Sequence, residues 1–331
     1  MRIGVIGAGS WGTTLANLLA KKGFTTALWV YEEELIPSIA TKKENHLYLP
    51  GIELDGNIVP TGSLQEACHN KDIILNVTPS QIVRQILQQI RDYLSPQAVL
   101  ISASKGIENT TLLTMSEVIR EVFSFHDGSR IAVLSGPSFA LEVSREIPTA
   151  VTIASENQER AQQLQQVFST PYFRVYTNSD VVGVELGGSL KNVIALAAGI
   201  SDGLRFGYNT RAALITRGLA EISRLALKMG ASPLTLSGLS GLGDLVLTCT
   251  GELSRNRTVG MKLGEGVKLD QILKDMKMVA EGIKTTRSTY DLSRKLNVPM
   301  PITEQVYNIL YQGKDPKEAV TELMTRDLKV E

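Results

Sequence analysis

A chain of 331 residues has room for two domains, and its 34 basic and 34 acidic side chains cancel to a formal net charge of zero with no block of like charge. A nucleic acid or an acidic membrane surface is therefore a poor match as partner. Cys68 and Cys249 lie far apart, and His46, His69 and His126 show no metal spacing, so the reading is a cytoplasmic protein with no metal. No leader pattern precedes the first strand, and the apolar stretch from Val193 to Ile200 is short enough to be a buried helix rather than a membrane span.

Arg2 to Ile6 is a β-branched run closed by Gly7, and Thr13 to Lys22 carries helix formers stopped by Gly23. Between them Gly7-Ala-Gly-Ser-Trp-Gly12 matches G-x-G-x-x-G in the setting that gives it meaning, after a strand and opening a helix. There Gly7 permits the turn, Gly9 lets backbone approach a pyrophosphate, Gly12 lets helix pack on strand, and the helix N-terminus favours the anion. An ordinary strand-to-helix turn is the competing reading.

Thr25 to Tyr31 reads as a second strand, ending in Trp29-Val-Tyr-Glu-Glu-Glu34. Three carboxylates and no arginine would repel a ribose phosphate, which points to NAD over NADP. Lys42 and Lys43 folding back would reverse that, and an exposed helix start would explain the glutamates equally well.

Ser63-Leu-Gln-Glu66 forms a capping box for a short helix before the strand Asp72 to Val77. Further strands are expected at Ala98 to Ala103, Arg130 to Leu134, Thr149 to Ala154 and Phe173 to Tyr176, with helices at Ile82 to Tyr93, Leu112 to Val122 and Glu156 to Phe168. The alternation predicts an α/β, doubly wound, mostly parallel Rossmann-type sheet over residues 1–180, with its ligand site at the carboxyl ends of the strands. Small and polar residues gather at those ends: Gly7 to Gly12, Thr78-Pro79-Ser80, Ser104-Lys105-Gly106 and Ser135-Gly136-Pro137-Ser138. Lys105 is a candidate site residue there, against the alternative of a solvated loop lysine.

After Ser179 strand signals vanish, and residues 181–331 read as an all-α domain. Helices are expected at Val184 to Ser201, Ser254 to Leu263, Leu269 to Met276, Glu281 to Leu296 and Thr303 to Tyr311. Another carries Ile215, Leu219, Ile222, Ala226 and Met229 in steps of four and three, with Asn209 as N-cap and Gly230 as stop. Lys191 lies in Glu185-Leu-Gly-Gly-Ser-Leu-Lys-Asn192, where small residues leave room for a ligand; snorkelling to solvent is the alternative. Asp244, in a glycine-rich apolar run, needs a cation, and a lysine is the natural one. Ser254-Arg255-Asn256-Arg257 opens a helix, so amides and guanidinium groups could converge on a phosphate, unless they are solvated arginines at a surface helix start. Cys249 has no base beside it and reads as a small buried residue.

Taken together, G-A-G-S-W-G-T at Gly7, S-K-G at Ser104, S-G-P-S at Ser135, E-L-G-G-S-L-K-N at Glu185, N-T-R-A-A-L-I-T-R-G at Asn209, the block Gly238 to Arg257 and A-E-G-I-K-T-T at Ala280 resemble the bacterial NAD(P)-dependent glycerol-3-phosphate dehydrogenases over nearly the whole chain. The resemblance implies a Rossmann domain followed by a 6-phosphogluconate-dehydrogenase-like helical domain, a cytoplasmic homodimer, NAD or NADP as cofactor, and conversion of dihydroxyacetone phosphate to sn-glycerol 3-phosphate for phospholipid synthesis. It implies that Gly7, Gly9, Ser10, Trp11, Gly12, Tyr31, Lys105, Ala140, Arg255, Val279 and Glu281 meet the cofactor. It further implies that Lys105, Gly136, Ser138, Lys191, Asp244, Ser254, Arg255 and Asn256 meet the substrate, with Lys191 moving the proton beside Asp244. Thr78 stands where the family often has valine, and Tyr31 with Glu32 where arginine is common. The rival readings are a 3-hydroxyacid or 6-phosphogluconate-type dehydrogenase and a dinucleotide-sensing module without chemistry.

Overall fold

The computed structural model describes residues 1–124, 128–276, 280–328 and 330. The chain divides into two compact units, one of Met1–Lys105 with Thr114–Glu185, the other of Gly106–Leu113 with the residues from Leu186 onward. Strands of the first unit are β1 (Ile3–Ile6), β2 (Thr26–Trp29), β3 (Ile58–Thr61), β4 (Ile73–Asn76), β5 (Val99–Ser102), β6 (Ile131–Ser135), β7 (Thr149–Ala154) and β8 (Phe173–Asn178). They form one sheet in the order β3-β2-β1-β4-β5-β6-β7-β8. Every neighbouring pair is parallel except β6 with β7.

Strands β1, β2, β4, β5 and β6 are buried along their whole length, as continuous aliphatic runs in a sheet covered on both faces must be. The covering helices are α1 (Ser10–Lys21), α2 (Leu35–Pro37), α3 (Leu64–Cys68), α4 (Val83–Ile90), α5 (Met115–Val122), α6 (Ala140–Ser144) and α7 (Gln158–Phe168). Sheet order reverses between β1 and β4, and the loop Gly7 to Gly12 opens at that switch point, where doubly wound sheets hold ligands. The expected α/β architecture is borne out.

One strand goes unsignalled in the sequence, and three local expectations fail, each for an identifiable reason. Strand β3 carries no sequence signal because it is a short edge strand containing Pro60, which an edge tolerates. Helix α5 starts at Met115 rather than Leu112, since Leu112 takes a left-handed φ of 63° and the capping box is Thr114 with Glu117. Ser63 does cap α3 by accepting from the Glu66 amide, but the Glu66 carboxylate takes its hydrogen bond from the Thr61 hydroxyl at 2.5 Å. Asn209 is inside its helix rather than its N-cap, because that helix already begins at Gly207.

In the second unit the helices run α8 (Val181–Gly203), α9 (Gly207–Lys228), α10 (Pro233–Leu236), α11 (Asp244–Thr250), α12 (Arg255–Gly264), α13 (Leu269–Lys274), α14 (Glu281–Lys295), α15 (Pro301–Gln312) and α16 (Pro316–Met324), with the first residues of α8 belonging to the first unit. Helix α8 is longer than the sequence suggests, and by length and composition it could cross a membrane; 94% of its apolar window is buried inside the fold instead. A π-helical turn, Leu239–Gly243, leads into α11. Helices α8 and α12 touch along their backbones: a Cβ added at Gly199 would lie 2.0 Å from the Arg257 carbonyl, and one at Gly260 2.2 Å from that of Leu196. That contact fixes the start of α12 beside the middle of α8.

Glu221 of α9 is buried and caps α15, accepting from the amides of Ile302 at 2.6 Å and Thr303 at 3.1 Å. Burial pushes its carboxyl up from 4.5 to about 7, against the pull of these hydrogen bonds and of Arg224. The folded state then holds this proton more tightly than the unfolded chain does. Stability from this group is present below pH 4.5 and is lost as pH rises through about 7, by roughly 3 kcal/mol in all. Glu221→Gln, which mimics the protonated group, should flatten that part of the profile. Urea unfolding at pH 5 and pH 7.5 checks it, and an equal drop in both proteins would count against the assignment.

Candidate active site

In the first unit, the glycine loop has the shape a pyrophosphate needs. A Cβ at Gly12 would lie 1.8 Å from the Gly7 carbonyl, whereas one at Gly9 would meet nothing within 4 Å, so the close packing is at Gly12 and the open approach at Gly9. The N-cap of α1 is Gly9, which has no side chain to cap the helix, and no acidic residue lies in its first turn, so no like charge in that turn opposes an anion. The Ser10 hydroxyl donates to the Tyr48 carbonyl at 2.7 Å, and the buried indole nitrogen of Trp11 has no hydrogen-bond partner among the described residues. Ala140 begins α6, and its carbonyl accepts from Thr14 of α1 at 3.2 Å, which keeps it near the helix that the loop opens.

At the end of β2, Tyr31 is 75% exposed and meets the edge of Trp29. The Tyr48 hydroxyl donates to the Glu32 carboxylate at 2.6 Å, while Glu33 and Glu34 are exposed. Burial and this carboxylate push the Tyr48 hydroxyl up to about 12. Past β5 and β6, Lys105 Nζ and the Ser138 hydroxyl both donate to the Gly136 carbonyl, at 3.1 and 3.2 Å, so these three predicted residues do come together. The Thr78 hydroxyl donates to Asn76 Oδ1 at 3.0 Å, a bond valine would lack, while its main-chain carbonyl accepts from Ser104 at 2.6 Å.

In the second unit, Lys191 of α8 is 7% exposed and Asp244, the first residue of α11, is fully buried. Their side chains form an ion pair, and Lys191 Nζ also donates to the Thr248 hydroxyl at 2.8 Å. Thr248 in turn donates to the Asp244 carbonyl at 2.6 Å. The buried carboxylate thus has its cation, and the ammonium is oriented by two groups one helical turn apart on α11. Thr248 was missed because no helix was expected over Asp244–Thr250; with that helix recognised, its spacing of four from Asp244 would have marked it. The small residues before Lys191 do not leave room for a ligand at Gly187, where a Cβ would lie 2.6 Å from the Ser240 carbonyl: helix packing takes that space.

Ser254 caps α12 by accepting from the Arg257 amide at 3.3 Å. Arg257 is committed elsewhere, donating to Asp202 at 2.7 Å in a cluster with Arg211, so it takes no part in a phosphate fork. Arg255 makes no hydrogen bond or ion pair among the described residues. Although the residue is exposed overall, desolvation of its guanidinium lowers its pKa, opposed by the charge of Glu281. A guanidinium held this way beside a helix N-terminus suits an anion. Asn256 is buried, and its Nδ2 donates to Asn192 Oδ1 at 2.9 Å, a partner the sequence reading passed over. Cys249 is buried with its thiol pushed up to about 12 by burial, which makes it inert as a nucleophile. Val279 lies outside the described residues, and among these no cluster of metal-ligating side chains occurs.

The model of the NAD-dependent glycerol-3-phosphate dehydrogenase N-terminus matches residues 2–161, and that of the C-terminus of the same enzymes matches residues 180–321. The chain belongs to the NAD(P)-dependent glycerol-3-phosphate dehydrogenase family. It is 60% identical over 330 residues to the glycerol-3-phosphate dehydrogenase of Geobacter metallireducens, covering 100% of this chain and 98% of that one. The enzyme of Geobacter sulfurreducens is likewise 60% identical with the same coverage. A crystal structure of glycerol-3-phosphate dehydrogenase from Coxiella burnetii superposes with a TM-score of 0.93 at 39% identity, over 98% of this chain and 99% of that one. Membership of this dehydrogenase family sets aside the 3-hydroxyacid or 6-phosphogluconate-type dehydrogenase and the sensor without chemistry.

Proposed function

We propose that the chain reduces dihydroxyacetone phosphate to sn-glycerol 3-phosphate, reversibly, with NAD(P)H as hydride donor. The observation that carries the reading is the buried Lys191, paired with Asp244 and Thr248, on the helix packed against the start of α12. When bound, the reduced nicotinamide supplies a hydride to the carbonyl carbon. The oxygen then gains negative charge, and a positioned ammonium both stabilises it and gives it a proton. Lys191 is that donor, Asp244 and Thr248 orient it, and Arg255 with Asn256 and Ser254 holds the phosphate. Lys105, Gly136 and Ser138 complete substrate contact. Gly7, Gly9, Ser10, Trp11, Gly12, Tyr31, Lys105, Ala140, Arg255, Val279 and Glu281 hold the cofactor. Following loss of reduced-cofactor absorbance with dihydroxyacetone phosphate tests this directly; no turnover with either NADH or NADPH would refute it.

Preference for NADH belongs to the same proposal and rests on Glu32, fixed by Tyr48 at the end of β2 where a ribose is read. Glu32→Arg should shift the ratio of kcat/KM for NADPH over NADH upward by about tenfold or more. An unchanged ratio would remove Glu32 from cofactor choice. A cytoplasmic setting is supported by the two free, buried cysteines. The homodimer is supported by an apolar groove of about 590 Å³, lined by Ile200, Leu214, Ile302, Val306, Ile309 and Leu323, which a second copy would cover.

A further inference from the structure

Two consecutive residues at the start of α14 address two consecutive residues at the start of α12. Glu281 acts on Arg255 by charge, and the Gly282 amide donates to Asn256 Oδ1 at 2.9 Å. Asn256 passes the bond on from Nδ2 to Asn192 Oδ1, also at 2.9 Å, and all three residues are buried.

This arrangement decides which end of the Asn256 amide faces which way. A main-chain N–H only donates, so only the oxygen of a side-chain amide satisfies it; turned over, the amide would set N–H against N–H inside the fold. With Oδ1 pinned, Nδ2 keeps two hydrogens, one for Asn192 and one for a ligand. A phosphate dianion accepts hydrogen bonds and is repelled by a carbonyl oxygen, so the orientation that Gly282 imposes is the one a phosphate requires. Position 282 also leaves no space for a side chain. A Cβ there would lie 2.7 Å from both the Asn192 main-chain carbonyl and Asn256 Oδ1, and the first of these belongs to the backbone of α8.

We propose that Gly282 is a positioning residue for the substrate phosphate, acting through Asn256: its amide fixes the flip of the Asn256 side chain, and its lack of a Cβ lets α14 come close enough to do so. The proposal rests on the reading that Asn256 holds the phosphate. Gly282 itself touches neither substrate nor cofactor in this scheme.

The test is steady-state kinetics of the full-length enzyme for Gly282→Ala, Asn256→Ala and the double variant, with dihydroxyacetone phosphate and the cofactor varied separately. Each single change should raise the KM for dihydroxyacetone phosphate about 10- to 100-fold, the loss of one hydrogen bond to a charged group, with kcat and the cofactor KM moved far less. The double variant should be no worse than the worse single one, because both remove the same interaction. Penalties that multiply, or a cofactor KM that rises as much as the substrate KM, would make Gly282 a general packing residue and overturn the proposal. If Asn256→Ala leaves the substrate KM unchanged, the phosphate reading itself fails; if Asn256→Ala raises it and Gly282→Ala does not, only the positioning role fails. Asn256→Asp gives a check that leaves Gly282 intact: it keeps an acceptor for the Gly282 amide but puts a carboxylate oxygen where Nδ2 was. Its substrate KM should exceed that of Asn256→Ala, and a value equal or lower would overturn the assigned orientation.

Discussion

Replacing Lys191 with alanine should lower kcat by roughly 10²- to 10⁴-fold, the usual contribution of a positioned general acid, while cofactor binding stays close to that of the unaltered enzyme. The side chain is buried and its ammonium is held in one position by Asp244 and Thr248. The change also strands the Asp244 carboxylate in a fully buried position, which costs about 3–5 kcal/mol when one partner of a buried pair is removed. Lys191→Ala should therefore melt earlier as well as turn over slowly. Removing Asp244 as well, in Lys191→Ala with Asp244→Ala, should restore part of the stability and none of the turnover. Single-turnover kinetics and cofactor titration, run below the melting temperature, separate the two effects. A variant keeping a large part of kcat would take Lys191 out of the reaction.

Arg255→Ala should act on binding instead, raising the KM for dihydroxyacetone phosphate by about 30- to 1000-fold, equivalent to roughly 2–4 kcal/mol for a charge-assisted, forked contact to a dianion. Arg255 makes no hydrogen bond or ion pair among the described residues, although the charge of Glu281 acts on it, and desolvation of its guanidinium strengthens its attraction for an anion. Arg257 offers a control two residues away on the same helix. It is bound to Asp202, so Arg257→Ala should cost stability more than substrate affinity. If the two arginine variants raise the substrate KM alike, or if Arg255→Ala leaves it unchanged, the clamp is misassigned. Arg255→Lys should recover only part of the loss, because an ammonium keeps the charge but not the planar fork.

Much of this arrangement is legible in the sequence because it rests on local chemistry. The glycine loop announces itself by its setting between β1 and α1, and the polar residues at the ends of β4, β5 and β6 follow from the topology of a parallel sheet. Asp244 could be matched to a lysine by the cost of burying an unpaired carboxylate. Other parts are not written locally. Thr248 and Asn192 gain their meaning from residues 57 and 64 positions away in the chain, Lys191 and Asn256, brought near only when α8 packs on α11 and α12. Arg255 and Arg257 look alike in sequence and differ wholly in the fold, since Asp202 claims one of them. The room expected at Gly187 was real but belonged to a neighbouring segment of backbone. Small residues record a close approach without saying what approaches.

The most direct test of the account follows the hydride itself. With dihydroxyacetone phosphate and cofactor carrying deuterium at the transferable position of the nicotinamide, the product should be sn-glycerol 3-phosphate with one deuterium on C2, and dihydroxyacetone, which lacks the phosphate, should react far more slowly. Product without deuterium at C2, or equal turnover of the two ketones, would contradict a hydride transfer to a substrate held by its phosphate.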